Sequence, residues 1–211
     1  MLGDLSRARI TLSTAQILRK PILLAIVLVF GGSLVVTASL WSEGSLAHET
    51  IEWIGVLLIF ACIFGRAWCS LYIGGRKNSA LVTVGPYSLV RNPLYVFSVI
   101  GAAGVGAQLG SIVCALIAGA FAWLVLHFVV LQEEKNLARA YGAAYRDYAA
   151  RVPRYLPRFS QFRDVAVVEV HVARVRRTFI DACVFLLAMP AAEVVEYLQK
   201  IGLIPVLFHL P

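Results

Sequence analysis

Residues 111–134 read SIVCALIAGAFAWLVLHFVVLQEE, an uncharged run that carries one histidine, His127, and closes on two adjacent carboxylates, Glu133 and Glu134. A helix needs about 20 apolar residues to cross a hydrocarbon core of roughly 30 Å. Inside lipid only a helix or a closed barrel satisfies every backbone polar group. The stretch over 111–131 is therefore read as a membrane span. Three further runs have the same character, roughly 21–40, 51–73 and 94–109. The run at 94–109 is short and meets 111–131 across Gln108, Leu109 and Gly110, which predicts a tight helical hairpin. A last apolar run over 179–208 is broken by Pro190, Glu193, Glu196, Lys200 and Pro205, and reads as a kinked fifth span or a re-entrant pair. The expected fold class is all-α, a polytopic transmembrane bundle with a four-span core over 1–159 and a C-terminal extension over 160–211.

Composition excludes a water-soluble domain. Of the 211 residues 60% are hydrophobic and 15% charged, with a mean hydropathy of +0.79. The four cysteines (Cys62, Cys69, Cys114, Cys183) lie in apolar runs without metal-ligand spacing, and His48, His171 and His209 show none either, so no disulfide framework and no metal site are expected. The net charge of +7 does not point to nucleic acid, because the basic residues sit between apolar runs. They follow the positive-inside rule instead. The first run comes after Arg7, Arg9, Arg19 and Lys20 and lacks a small-residue cleavage site, so it reads as a retained helix. The 41–52 loop holds Glu43, Glu49 and Glu52 with no Lys or Arg, whereas the 74–93 loop holds Arg76, Lys77 and Arg91. This places the N-terminus, the 74–93 loop and the basic 132–178 stretch in the cytoplasm, with Arg174, Arg176 and Arg177 against anionic headgroups.

Beyond the fourth span, Leu137, Tyr141, Ala144, Tyr145 and Tyr148 recur at three or four residues, which predicts a cytoplasmic amphipathic helix over 132–148. Pro153 and Pro157 end it near Arg151. Residues 165–178 fit a strand, through alternating Val168, Val170 and Val172, and an interfacial helix equally.

The chemistry-bearing loop is Gly85-Pro86-Tyr87-Ser88-Leu89-Val90-Arg91-Asn92-Pro93-Leu94-Tyr95. Gly85 and Pro86 encode a turn, and Pro93 suits the first turn of the next helix. Arg91 and Asn92 then stand at a helix N-terminus, whose free donors and positive partial charge suit a carboxylate or phosphate; a capped helix with a snorkelling Arg91 is the plainer alternative. Glu133 and Glu134 point about 100 degrees apart on a helix, so one of them faces the bundle and the other meets water or Arg. Arg66, deep in the second span, either faces a polar cavity or snorkels to the interface. His127 either touches a bound acceptor or hydrogen-bonds between helices.

From residue 81 to 159 the chain resembles the isoprenylcysteine carboxyl methyltransferases and their phospholipid methyltransferase relatives. The residues that carry the resemblance are Gly85-Pro86-Tyr87, Val90 to Tyr95, an apolar hairpin, Glu133-Glu134, Leu137, Tyr141-Gly142, Tyr145, Tyr148, Arg151-Val152-Pro153 and Leu156-Pro157. The resemblance implies a cytoplasm-facing pocket for S-adenosylmethionine and a membrane tunnel for a lipophilic acceptor, whether a prenyl or lipid substrate or another small apolar molecule. It implies that Tyr87, Arg91, Asn92, Pro93, Tyr95, Glu133 and Glu134 line the cofactor and that Glu134 and Arg151 lie nearest the reaction; Arg66 and His127, from their depth in the spans, are the candidates for the tunnel wall. Asn92 stands where the family most often has His, and Phe97 where it usually has Gly. Two other readings are an NADPH-dependent membrane reductase of the sterol-reductase type and a non-catalytic membrane protein. The acceptor atom and the oligomeric state are open at this point.

Overall fold

The structure is a computed structural model that describes residues 31–33, 35–73 and 81–211. Most of the expected first span lies outside the described residues, as do the basic N-terminal segment and Arg76 and Lys77. The described chain runs β1 (Thr37–Ser39), α1 (Leu46–Ile73), a short α2 (Pro86–Leu89), α3 (Pro93–Ala107), α4 (Ile112–Tyr141), α5 (Ala143–Arg151), α6 (Val172–Cys183), α7 (Ala188–Lys200) and β2 (Phe208–Leu210), with 3-10 turns at Phe159–Gln161 and Val184–Leu187. Among the described residues, α1, α4 and the Val172–Lys200 rod are long and apolar enough to cross a membrane, and α3 is apolar but shorter. The protein is an all-α membrane bundle. Its outward side chains include Leu57, Phe64, Leu116 and Leu124, the surface expected of helices that face lipid.

Small residues hold the spans together. Between membrane helices there is no hydrophobic drive, so close backbone approach supplies the attraction. A Cβ on Gly55 of α1 would come within 2.9 Å of the Gly104 carbonyl of α3, and one on Gly104 within 2.7 Å of the Gly55 carbonyl. Gly106 of α3 lies equally tight on the Cys114 backbone of α4. The short helix α3 is thus clamped between α1 and α4. The bulky Phe97 does not intrude on an open space, because its ring lies where a side chain on Gly65 of α1 would be.

Three expectations change in detail. The fourth span and the helix expected over 132–148 are one continuous rod as far as Tyr141, broken where Gly142 takes φ 54°, a backbone region that residues with a Cβ rarely enter. The helix after that break ends at Arg151, as the following Pro153 requires. The first apolar run does not stay helical to residue 40, since β1 pairs in parallel with β2 (Thr37 with Phe208, Ser39 with Leu210). The C-terminal apolar run lies in one helical rod, Val172–Lys200, long and apolar enough for a single crossing. Pro190 offers no N–H to the Leu186 carbonyl and its ring crowds it, and the rod there passes through the 3-10 turn Val184–Leu187. Residues 165–171 are irregular, with α6 starting at Val172.

The 160–211 segment folds back over the core. Ala182 of α6 joins Ile59 and Ile63 of α1 in one buried cluster, Gln199 donates to the Val35 and Thr37 carbonyls, and Ser111 Oγ donates to the Pro211 carbonyl at 2.8 Å. The bundle therefore has two polar ends. One gathers residues 81–92 with 133–163; the other gathers 37–52, 108–112 and 196–211.

Candidate functional site

At the first end, the Gly85 to Asn92 loop is stapled to the chain that follows α5. Gly85 N–H donates to the Arg163 carbonyl at 2.7 Å, Arg91 N–H to Pro153 at 2.8 Å, and Arg158 N–H to Leu89 at 3.0 Å. Ser88 Oγ donates to Gly85 and accepts from Arg163 N–H. Tyr148 Oη donates to the Tyr87 carbonyl at 2.7 Å. Burial pushes the Tyr148 and Tyr87 hydroxyls well above the ordinary tyrosine range. Both are therefore neutral donors at physiological pH.

Glu134 is the hub of this end. Its carboxylate is buried and accepts from Asn92 Nδ2 at 3.0 Å. It also takes a bidentate grip from Arg154, with Nη2 to Oε2 at 2.8 Å and Nε to Oε2 at 3.0 Å, and Arg91 Nε stands 3.6 Å away. The hydrogen bonds to Glu134 hold the Arg154 guanidinium above its usual pKa. Paired charges with matched forks are what make a buried carboxylate tolerable. Asn92 occupies the N-cap position of α3 without a side-chain capping bond. Its amide joins Glu134 to the Arg154 carbonyl instead.

Glu133, one position earlier, faces the other way. It lines a cleft of about 280 Å³ together with Arg66, Tyr87, Arg91, Asn92, Pro93, Tyr95, Tyr141, Tyr148 and Thr178. That volume lies near the small end of ligand pockets, roughly 300–1,000 Å³. Among the described residues, three buried polar atoms of this lining lack a hydrogen-bond partner, the Tyr87 hydroxyl, Arg66 Nε and Arg91 Nε, the last of which faces Glu134 at 3.6 Å. Arg66 does not snorkel; it donates to Ser98 Oγ on α3 and faces the cleft. The cleft thus opposes a carboxylate to guanidinium groups across aromatic walls, an arrangement suited to a zwitterionic ligand that also carries a cation.

Beside the cleft lies an apolar groove of about 230 Å³ between α3 and α4, lined by Tyr95, Val99, Ile100, Trp123, Leu126, His127, Tyr155 and Leu156. Tyr95 borders both spaces. His127 Nδ1 lies 2.8 Å from the Tyr155 hydroxyl, which makes it the one strongly polar group along the groove wall that belongs to α4.

The residues named from the sequence are thus mostly together. Tyr87, Arg91, Asn92, Pro93, Tyr95, Glu133 and Arg66 line the cleft, His127 the groove, and Glu134 the layer beneath the cleft. Arg151 is not with them. On the solvent side of the last turn of α5, its Nε donates to the Asp147 carbonyl and it borders a separate shallow pocket with Ser88 and Gln161. The arginine that meets Glu134 is Arg154, which the sequence reading missed. Pro153 was the available signal, because the chain reverses there and a residue beyond the break points back to the bundle.

The phospholipid methyltransferase family matches residues 51–144. The chain is 35% identical over 179 residues to the nickel-cobalt-cadmium resistance protein NccN of Alcaligenes xylosoxydans xylosoxydans, a match that covers 85% of this chain and 83% of that protein. It is 41% identical over 155 residues to the cobalt-zinc-cadmium resistance protein CzcN of Cupriavidus metallidurans, covering 73% and 70%. A shorter match, 35% identical over 82 residues, joins it to the protein-S-isoprenylcysteine O-methyltransferase of Schizosaccharomyces pombe, covering 39% and 35%. No solved structure matches.

Proposed function

From the premise that this chain belongs to the phospholipid methyltransferase family of integral membrane proteins, we propose that it transfers a methyl group from S-adenosylmethionine to a lipophilic acceptor. The observation that carries the reading is Tyr95, the shared wall of a charged cleft and an apolar groove. A polar cationic donor and an apolar acceptor need two such adjoining spaces.

Residues of the cleft suit the donor. Arg66 and Arg91 meet its carboxylate, Glu133 with the faces of Tyr87 and Tyr95 meets its positive charge, and the Tyr87 hydroxyl and Arg66 Nε offer donors that the protein leaves unused. The cofactor supplies an electrophilic methyl group. The protein supplies alignment, which in the best intramolecular cases is worth roughly 7–11 kcal/mol, and a site shielded from water in which each charge contact is strengthened. Glu134 acts through its neighbours. By fixing Asn92, Arg91 and Arg154 it presents the cleft wall without touching the ligand itself. The groove takes the acceptor with its apolar body along Val99, Ile100 and Leu126 and its reacting end towards Tyr95. The His127 and Tyr155 pair stands ready to accept a proton from an amine or phenol acceptor, a step that a carboxylate acceptor does not need. By relation to NccN and CzcN, the methylation serves cells under divalent-metal stress. In the membrane the cleft end faces the cytoplasm, the face marked by the basic stretches.

The test is thermal stabilisation of the detergent-purified protein by S-adenosylhomocysteine and by NADPH, for the wild type and Glu133→Gln. Stabilisation by the homocysteine compound alone, reduced in the variant, is the expected result. Stabilisation by NADPH alone would replace this reading with a reductase, and no response to either compound would end the enzymatic one.

A further inference from the structure

At the opposite end of the bundle the geometry points to a second site, a divalent cation held by His48, Glu52 and Glu196. His48 and Glu52 stand one turn apart on α1, so their side chains share a face. Glu196 arrives from α7 at the far end of the sequence, which is why spacing alone gave His48 no ligand partners. His48 Nε2 lies 3.3 Å from Glu52 Oε1 and 3.6 Å from Glu196 Oε1, and the three donor atoms all fall within 4.8 Å of one another. Donors at the usual metal distances of roughly 2.0–2.2 Å sit about 3.0–3.5 Å from each other around one ion. The observed trio needs only a small contraction to reach that.

The second observation is the state of His48 itself. Its side chain is only 6% exposed, and its Nδ1 is buried with no hydrogen-bond partner among the described residues. A buried imidazole is usually held by both nitrogens, whereas here Gly110 packs on the ring and Nε2 is aimed at two half-buried carboxylates. The surroundings are acidic. Residues 37–57 and 188–211 contain Glu43, Glu49, Glu52, Glu193 and Glu196 against a single Lys or Arg, Lys200, which is engaged by Glu43 at 3.0 Å. A cavity of about 180 Å³ reaches His48 and Glu196 from one side, with Ser39 and Thr37 on its wall to orient water ligands. One imidazole and two carboxylates, without sulfur, suit zinc, cobalt or nickel ions better than soft cations, and the imidazole disfavours calcium and magnesium. Among the described residues no acceptor stands behind Nδ1, and loss of such support usually costs 10–100-fold in affinity, so binding is reversible and not structural. This site goes beyond the methyl transfer reading and does not depend on it.

The experiment uses the full chain in detergent, stripped with chelator and titrated with Co²⁺, followed by its visible absorption bands and by metal analysis after gel filtration. One bound equivalent is expected, with a spectrum that shows nitrogen and oxygen ligation, displaced by Zn²⁺ and Ni²⁺ and not by millimolar Ca²⁺ or Mg²⁺. Glu196→Gln should weaken binding at least tenfold, and His48→Ala should abolish the bands. If His48→Ala fails to fold, Glu52→Gln with Glu196→Gln takes its place, with circular dichroism and gel-filtration profile matched to the wild type. Equal binding by wild type and folded variants, displacement by Ca²⁺ at similar concentrations, or no bound equivalent would each overturn the site and leave His48 as a plain ion-pair partner.

Discussion

Replacing Glu134 by alanine removes the carboxylate that Asn92, Arg154 and Arg91 converge on. Arg91 is 14% exposed and would be left as an uncompensated charge, while Arg154, at 37%, can turn to water. Breaking a buried pair costs about 3–5 kcal/mol. With one of the two arginines able to rehydrate, the lower end, about 3 kcal/mol, is the appropriate figure. For a chain of this length each kcal/mol moves the unfolding midpoint by roughly 2–4 °C, so Glu134→Ala should lower Tm by roughly 6–12 °C in detergent. Glu134→Gln keeps one acceptor for Asn92 and should fall between alanine and the wild type. Glu133→Ala, measured beside them, should change Tm by less than about 2 °C, because its carboxylate looks into the cleft. The assay is thermal unfolding followed by intrinsic fluorescence or by loss of the monodisperse gel-filtration peak. A Glu134→Ala midpoint within about 2 °C of the wild type, or a larger loss in Glu133→Ala, would refute the assignment of the structural role to Glu134 and the ligand-facing role to Glu133.

Glu133→Gln should weaken S-adenosylhomocysteine or S-adenosylmethionine binding by roughly 10–100-fold, the value of one hydrogen bond to a charged group, measured by calorimetric titration; unchanged affinity would remove Glu133 from the ligand. Gly65→Ala drives a methyl group into the Phe97 ring and should destabilise by about 1–3 kcal/mol; adding Phe97→Ala should restore part of the lost midpoint, and two fully additive losses would show that the residues do not share that space. The Tyr87 and Tyr148 hydroxyls are both raised by burial, so the folded state favours their neutral forms. Their contribution is complete below the unfolded tyrosine value of about 10 and fades as pH climbs through the folded values. Tm should hold from pH 7 to about 9.5 and drop above 10, less steeply in Tyr87→Phe, and a midpoint unchanged at pH 11 would contradict this.

Much of the bundle was legible because its signals are local. The uncharged run 111–131, the proline pairs at 86 with 93 and 153 with 157, and the loop from Gly85 to Tyr95 each carry their own structural instruction. What escaped depends on partners far apart in the chain. Nothing near Asn92 announces that its amide serves Glu134 and not the α3 terminus, and nothing near Arg154 announces that it, and not Arg151, meets that carboxylate. The β1 and β2 pairing hid in apolar segments whose composition alone suited a helix. Phe97 stood out against the family's usual Gly because its complement, Gly65, lies on another span.

The 15 residues of α3 rise about 22 Å at 1.5 Å each, less than the roughly 30 Å of hydrocarbon that a span must bridge. A lone helix of that length would thin the bilayer or draw its flanks inward; here the longer helices α1 and α4 flank it on both sides. The α3 N-terminus pairs with Glu134 through Asn92, about two turns before α4 ends at Tyr141, so the cleft lies below the end of its long neighbour. On the proposed reading, the protein would then work as a depth gauge. For the proposed methyl transfer, a recessed cleft would choose an acceptor by how far below the surface its reactive atom rides, so two amphiphiles with the same head and tails of different attachment would be separated by position alone, before any contact distinguishes them.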